Sequence, residues 1–177
     1  MGKDCDELPS LPDLRVRVIR NQPYGAAILE GLHSSTTTYV ATMDADGQHQ
    51  FRDVHRLYDE VEGYDLDMGI GLRPKRGSRA MPSHLLNLAA SILAGRHVPD
   101  LGCGARVFRR DMALELAPRL PEGFDFNAVL TTLAIARGYR VEWVKIPHRP
   151  RQRGQSHVRW QDGPRTLKSL LRVATHE

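Results

Sequence analysis

Asp44 and Asp46 stand two residues apart, directly after an apolar run and directly before Gly47, Gln48 and His49. Where a chain turns, two carboxylates so spaced can approach one hard divalent cation, directly or through water. Mg²⁺ is usually held by one or two carboxylates together with phosphate oxygens of a substrate, so the pair suits a diphosphate-bearing ligand. Gln48 and His49 add ligand or hydrogen-bonding capacity. The plainer alternative is a solvated Asp-x-Asp-Gly turn, because Asp and Gly both favour turns. The whole stretch from Tyr39 to His49, an apolar strand running straight into the acidic turn, favours the metal.

A second cluster lies near the other end, where Arg149, Arg151, Arg153, His157 and Arg159 surround Gly154 and Trp160. Three readings compete: a solvated basic loop, a contact for single-stranded nucleic acid, or a phosphate clamp. Arginine forks bind phosphate in bidentate fashion, and a glycine lets backbone come close. The nucleic-acid reading lacks a recognised motif. The clamp is preferred because the loop follows a strand. Lys75-Arg76 and Arg109-Arg110 read as solvated pairs, Cys103 as a small residue in a tight turn, and His84 as structural.

These residues need elements to position them. Alternation over Arg15–Ile19 predicts a strand, and residues 25–33 a helix. Thr37–Met43 is β-branched and aromatic, hence a strand feeding the acidic turn. Val54, Leu57, Tyr58 and Val61 keep helical spacing, with Asp53 as the expected N-cap. Further strands are predicted over 67–72, 105–108 and 139–146, and helices over 83–93, 111–117, 127–137 and 164–174. Strands alternating with helices imply an α/β fold with a mostly parallel sheet covered on both faces. Ligands of such sheets sit beyond the carboxyl ends of strands, where Asp44 is expected.

Composition sets the outer limits. The 177 residues are 41% hydrophobic and 26% charged, with a formal net charge of +4, which favours anionic partners only modestly. The two cysteines, Cys5 and Cys103, form no CxxC pair, so neither a disulfide framework nor a zinc site is expected. No apolar run reaches the roughly 20 residues that span a bilayer. The expectation is a soluble, cytoplasmic protein, peripheral at a membrane if at all.

Thr38–Gln50 resembles the metal-binding signature of family 2 glycosyltransferases, especially the polyprenyl-phosphate sugar synthases. Four further blocks follow in register. Asn21-Gln-Pro-Tyr-Gly25-Ala-Ala resembles the family's Asn-x-Gly-x-x-x-Ala stretch, and Gly71-Leu-Arg73 its Gly-Ser-Arg strand end. The run from Asp100 to Arg110 resembles its Asp-x-x-x-Gly-x-Arg turn, and Arg151 to His157 its Arg-x-x-Gly-x-Ser-Lys motif.

The resemblance implies a GT-A-like fold and inverting transfer of a hexose from a UDP- or GDP-sugar to a lipid phosphate. Mg²⁺ or Mn²⁺ is implied at Asp44, Asp46 and Gln48. Phosphate contacts are implied at Arg73 and Arg151, which with Asp44 and Asp46 form the expected catalytic set. Asn21, Gly25, His49, Asp100, Arg106 and Ser156 complete the expected substrate contacts. Asp100 is also the candidate general base if the acceptor is a sugar hydroxyl. Family members open with strands bearing Pro-x-x-Asn-Glu and Asp-Asp-Gly-Ser turns that grip the nucleoside. Only Asp4–Leu8 offers a counterpart, and His157 and Asn127 replace a usual Lys and acid. The expectation is therefore a partial GT-A-like domain over 15–163, after a polar segment 1–14 and before an amphipathic helix over 164–177. Weak transfer and self-association through an open sheet edge are expected with it. The alternatives are an inactive paralogue with a binding role and a basic nucleic-acid-binding module.

Overall fold

The computed structural model describes residues 19, 21–74, 81–147, 149–152 and 162–175. In chain order the elements are α1 (Tyr24–Ser34), β1 (Tyr39–Thr42), α2 (Phe51–Gly63), β2 (Met68–Leu72), α3 (Met81–Ala94), β3 (Arg106–Arg109), α4 (Arg110–Leu116), α5 (Phe126–Ala136), β4 (Val141–Lys145) and α6 (Asp162–Thr175). Each corresponds to a predicted element with ends shifted by a few residues. The strand expected over Arg15–Ile19 lies outside the described residues, except for Ile19, which is irregular.

The sheet order is β1-β3-β2-β4. β2 and β4 pair in parallel, whereas β3 runs antiparallel to both β1 and β2. Three strands therefore point one way, as βαβ alternation requires, and β3 enters against them through the turn at residues 100–105. Reversal of β3 brings its first residue, Arg106, opposite Thr42 at the end of β1. Consequently the loops after β1, β2 and β4 and the loop before β3 all meet at one end of the sheet.

Helices cover both faces. Gly69 of β2 faces α2 so closely that a Cβ there would meet Val61 Cγ2 at 2.6 Å. Ile70, its neighbour on the opposite face, pairs with Arg106, whose side chain reaches α5. The core between these layers includes Leu57, Met68, Ile70, Phe108, Leu116, Phe126, Leu130 and Leu170. Burial of such side chains, at about 1.5–3 kcal/mol each, is what fixes the loops at the sheet end.

α2 is capped three residues earlier than the pattern suggested. Its N-cap is Gln50, not Asp53; Asp53 is the third helical residue of a capping box and accepts the Gln50 N–H at 2.8 Å. α6 docks on α3 and α5, with Leu170 fully buried. Among the described residues no helix is long and apolar enough to cross a membrane.

Candidate metal and diphosphate site

The turn after β1 is shaped by Asp46. Its Oδ1 accepts the Gln48 N–H at 2.9 Å, which folds the chain back through Gly47 at φ 82°, a left-handed conformation that glycine adopts without strain. Asp46 is 9% exposed, with its other oxygen turned to the loop after β4. That loop is tied to the turn by two backbone bonds, Arg149 N–H to Gln48 O at 3.2 Å and Gln152 N–H to Asp46 O at 2.9 Å.

Between these staples stands Arg151. Its Nη2 lies 3.0 Å from Asp46 Oδ2 and donates to Gln48 Oε1 at 3.4 Å. Arg149 turns the other way, to the buried Asp53, with Nη1 to Oδ2 at 2.6 Å. Burial alone would favour the neutral acid, but the hydrogen bonds from Arg149 and the Gln50 N–H hold the Asp53 carboxyl below its ordinary range. Both described arginines of the basic run thus face carboxylates. Arg153, Ser156, His157 and Arg159 lie outside the described residues.

Asp44 sits against Gly104, where any Cβ would collide with its carboxylate. The Gly at this position is a spatial requirement of the acidic turn. Thr42 Oγ1 donates to Gly104 O at 2.9 Å and fixes the two loops edge to edge. His49 is buried, and its Nε2 lies 3.8 Å from Cys103 Sγ. Burial lowers the His49 pKa against the opposing pull of Asp44, so the ring is neutral near pH 7. Burial also raises the Cys103 thiol pKa, which agrees with a packing residue rather than a nucleophile.

Arg73, just beyond β2, forks onto Asp100 with Nε to Oδ2 at 2.7 Å and Nη2 to Oδ1 at 2.8 Å. Burial works against its charge, but the bonds and field of Asp100 outweigh it and raise the pKa. Asp100 also accepts the Gly102 N–H at 2.8 Å. Both oxygens of Asp100, the candidate base for a sugar-hydroxyl acceptor, are thus engaged in anchoring its turn.

Three other expected substrate contacts, Arg106, Gly25 and Asn21, stand differently in the fold. Arg106 is fully buried and presents nothing to a substrate. Nε donates to Cys103 O at 2.8 Å, Nη2 to Leu101 O at 2.7 Å, and Nη1 to Thr131 Oγ1 at 2.6 Å and Asn127 O at 3.2 Å. It positions the 100–105 loop against α5. Gly25 is buried at the start of α1 and gives its N–H to Glu122 O at 2.7 Å, so its role is close backbone approach. Asn21 is exposed in a left-handed turn and makes no described contact with Asp44 or Asp46. A contact that sequence reasoning missed is that of Tyr24, whose hydroxyl accepts from Asn127 Nδ2 at 2.8 Å and whose pKa is raised by burial. Only proximity in the fold reveals it.

Among the described residues no three of His, Cys, Asp and Glu group to hold a metal ion. The donor set suits a cation nevertheless. A guanidinium already rests on Asp46 and Gln48, and Gly104 leaves the Asp44 carboxylate its space. Such a site needs phosphate oxygens to complete it.

A family model described as "Glycosyl transferase family 2" matches residues 4–117. The chain belongs to glycosyl transferase family 2. It is 34% identical, over 80% of its length, to an undecaprenyl-phosphate 4-deoxy-4-formamido-L-arabinose transferase of Pseudomonas aeruginosa strain LESB58, and covers 42% of that protein. It is 29% identical, over 98% of its length, to the polyprenol monophosphomannose synthase of Mycolicibacterium smegmatis, and covers 70% of it. The chain thus spans less than half the length of the undecaprenyl-phosphate transferases it matches. Among solved structures, glucosyl-3-phosphoglycerate synthase from Mycobacterium tuberculosis with Mn²⁺, UDP and glucosyl-3-phosphoglycerate aligns with TM-score 0.66 and 16% identity, over 93% of this chain and 58% of that one. The same enzyme with Mg²⁺ and UDP gives 0.65 and 18%, over the same shares. These neighbours establish the GT-A-like fold expected from the resemblance.

Proposed function

We propose that this family 2 chain takes part in moving a hexose from a nucleoside diphosphate sugar to a polyprenyl phosphate, with inversion, and holds the donor diphosphate between the Asp44–His49 turn and Arg151. The observation that carries the reading is Arg151 Nη2 within 3.0 Å of Asp46 Oδ2 and 3.4 Å of Gln48 Oε1. It brings onto one another two motifs whose contacting residues, Gln48 and Arg151, lie 103 positions apart in sequence. Support for the acceptor comes from the names of the relatives, and for the donor from the UDP and Mn²⁺ or Mg²⁺ in the structural neighbours.

Asp44, Asp46 and Gln48 would hold Mg²⁺ or Mn²⁺, which when bound stabilises charge on a leaving diphosphate. Arg151 and Arg73 face the same end of the sheet and add fixed positive charge there. The Arg73–Asp100 fork keeps one guanidinium rigid, and its Nη1 remains outside that pair. No general base is required, because a phosphate acceptor with a second pKa of about 6 is already anionic near neutral pH. The engagement of Asp100 is therefore no obstacle.

A lipid acceptor also calls for a surface that meets a membrane. α3 and α6 pack together, and α3 exposes Leu85, Leu88 and Ile92, spaced to share one helical face. α6 exposes Leu167 and Leu171 beside Lys168 and Arg172. Apolar residues flanked by basic ones suit an anionic interface.

Titration calorimetry with UDP and GDP tests the donor site. Binding should require Mn²⁺ or Mg²⁺ and weaken at least about tenfold in Asp46→Ala, since even residues supporting a metal ligand are worth about 10- to 100-fold. Binding of equal strength without metal, or unchanged in Asp46→Ala, would refute the assignment.

A further inference from the structure

We infer that Arg151 is an internal cation that occupies the metal position until a diphosphate arrives, so that metal and diphosphate must enter together. The inference rests on the metal site proposed above and adds a competition within it. Two of the three expected ligand residues, Asp46 and Gln48, are bound by one guanidinium. A dication on Asp46 Oδ2 and a guanidinium 3.0 Å from the same oxygen would repel each other at short range. One must leave.

The backbone makes the side chain the part that moves. Gln152 N–H to Asp46 O and Arg149 N–H to Gln48 O hold the loop on the turn from both sides of Arg151. A Cβ on Gly47 would lie 3.0 Å from Gln152 Cβ, so loop and turn are in direct contact. The Arg151 side chain is 36% exposed, whereas Asp46 is 10% exposed. The carboxylate is held by its own turn, and the guanidinium is the more exposed partner of the two. Once released it stands one residue from the staples, beside the place a diphosphate would take, where it can form charge-assisted hydrogen bonds to phosphate oxygens. Metal alone costs Arg151 its bonds to Asp46 and Gln48, and diphosphate offers charge-assisted bonds in their place. The two ligands therefore bind with positive coupling beyond their direct contact, and by linkage each tightens the other equally.

Manganese binding, read by water-proton relaxation on the intact chain without nucleotide, tests this. Arg151→Gln should bind Mn²⁺ about fivefold more tightly than the unmutated chain, the upper range for loss of a partly exposed ion pair. Arg151→Lys keeps the charge and should stay near the unmutated affinity, which also controls for folding. With inorganic pyrophosphate as the probe, the gain in Mn²⁺ affinity should be about fivefold smaller in Arg151→Gln than in the unmutated chain. Equal or weaker Mn²⁺ binding in Arg151→Gln, equal tightening in Arg151→Lys, or undiminished pyrophosphate coupling would overturn the inference. Adding Asp46→Ala to Arg151→Gln separates the two levels. If Mn²⁺ binding survives it, the metal site itself is wrong; if binding is lost but Arg151→Gln alone gave no tightening, only the competition is wrong.

Discussion

Arg106 places a guanidinium in the interior, surrounded by neutral oxygens of Leu101, Cys103, Asn127 and Thr131. Burial lowers its pKa, partly offset by the fields of Tyr24, Cys103 and Asp100. The planar fork serves acceptors on two separate elements, which a lysine cannot do. Arg106→Lys should therefore cost about 3 kcal/mol, because buried carbonyls lose their donors. Urea unfolding measures it, and a loss under about 0.5 kcal/mol would show that the loop holds without the fork. The sequence pattern marked Arg106 but mistook its direction. Three of its acceptors are backbone carbonyls, which leave no trace in residue identity. Asp44 and Asp46 drew notice through charge and spacing, and Arg151 only as part of a basic run; its contact with Asp46 and Gln48 needed the fold. The pairing of Arg149 with Asp53, 96 residues apart, needed it too.

At the scale of elements, periodicity located every described strand and α-helix, and the misreadings fall at their edges. Asp53 looked like an N-cap because Asp is common there, yet Gln50 takes that place and Asp53 completes the capping box from within. The reversal of β3 was invisible, since a four-residue run such as Arg106–Arg109 has no intrinsic direction. For α6 the spacing allowed either docking or membrane contact, and the structure shows docking through Leu170 with Leu167 and Leu171 left outside. The exposed face of α3 was not anticipated, because an apolar helix does not announce in sequence which of its sides is covered. Together these helices should bind anionic vesicles at low salt in a flotation assay. Binding should fall when Leu88 and Ile92 are replaced by serine and when Lys168 and Arg172 are replaced by glutamate. No flotation of the unmutated chain at low salt would assign both faces to another purpose.

For the molecule as a whole, function follows from which loops the sheet brings to one end. β1, β2 and β4 deliver the acidic turn, Arg73 and the Arg149–Gln152 loop, and reversed β3 receives the loop that Arg73 and Arg106 anchor. The outer edge of β1 carries no partner strand among the described residues, and a cavity of about 470 Å³ lined by Tyr39, Val54 and Tyr58 runs beside it. The α/β class and the family were legible because five motifs kept their order along the chain. Their convergence at one end depended on strand order, which no single motif encodes. That convergence is most directly tested by anomalous diffraction from crystals grown with Mn²⁺ and UDP. The expected result is a manganese peak beside Asp46 and Gln48, where the Arg151 guanidinium now stands, with Arg151 turned to the diphosphate. A peak elsewhere, or UDP bound while Arg151 still rests on Asp46, would contradict the account.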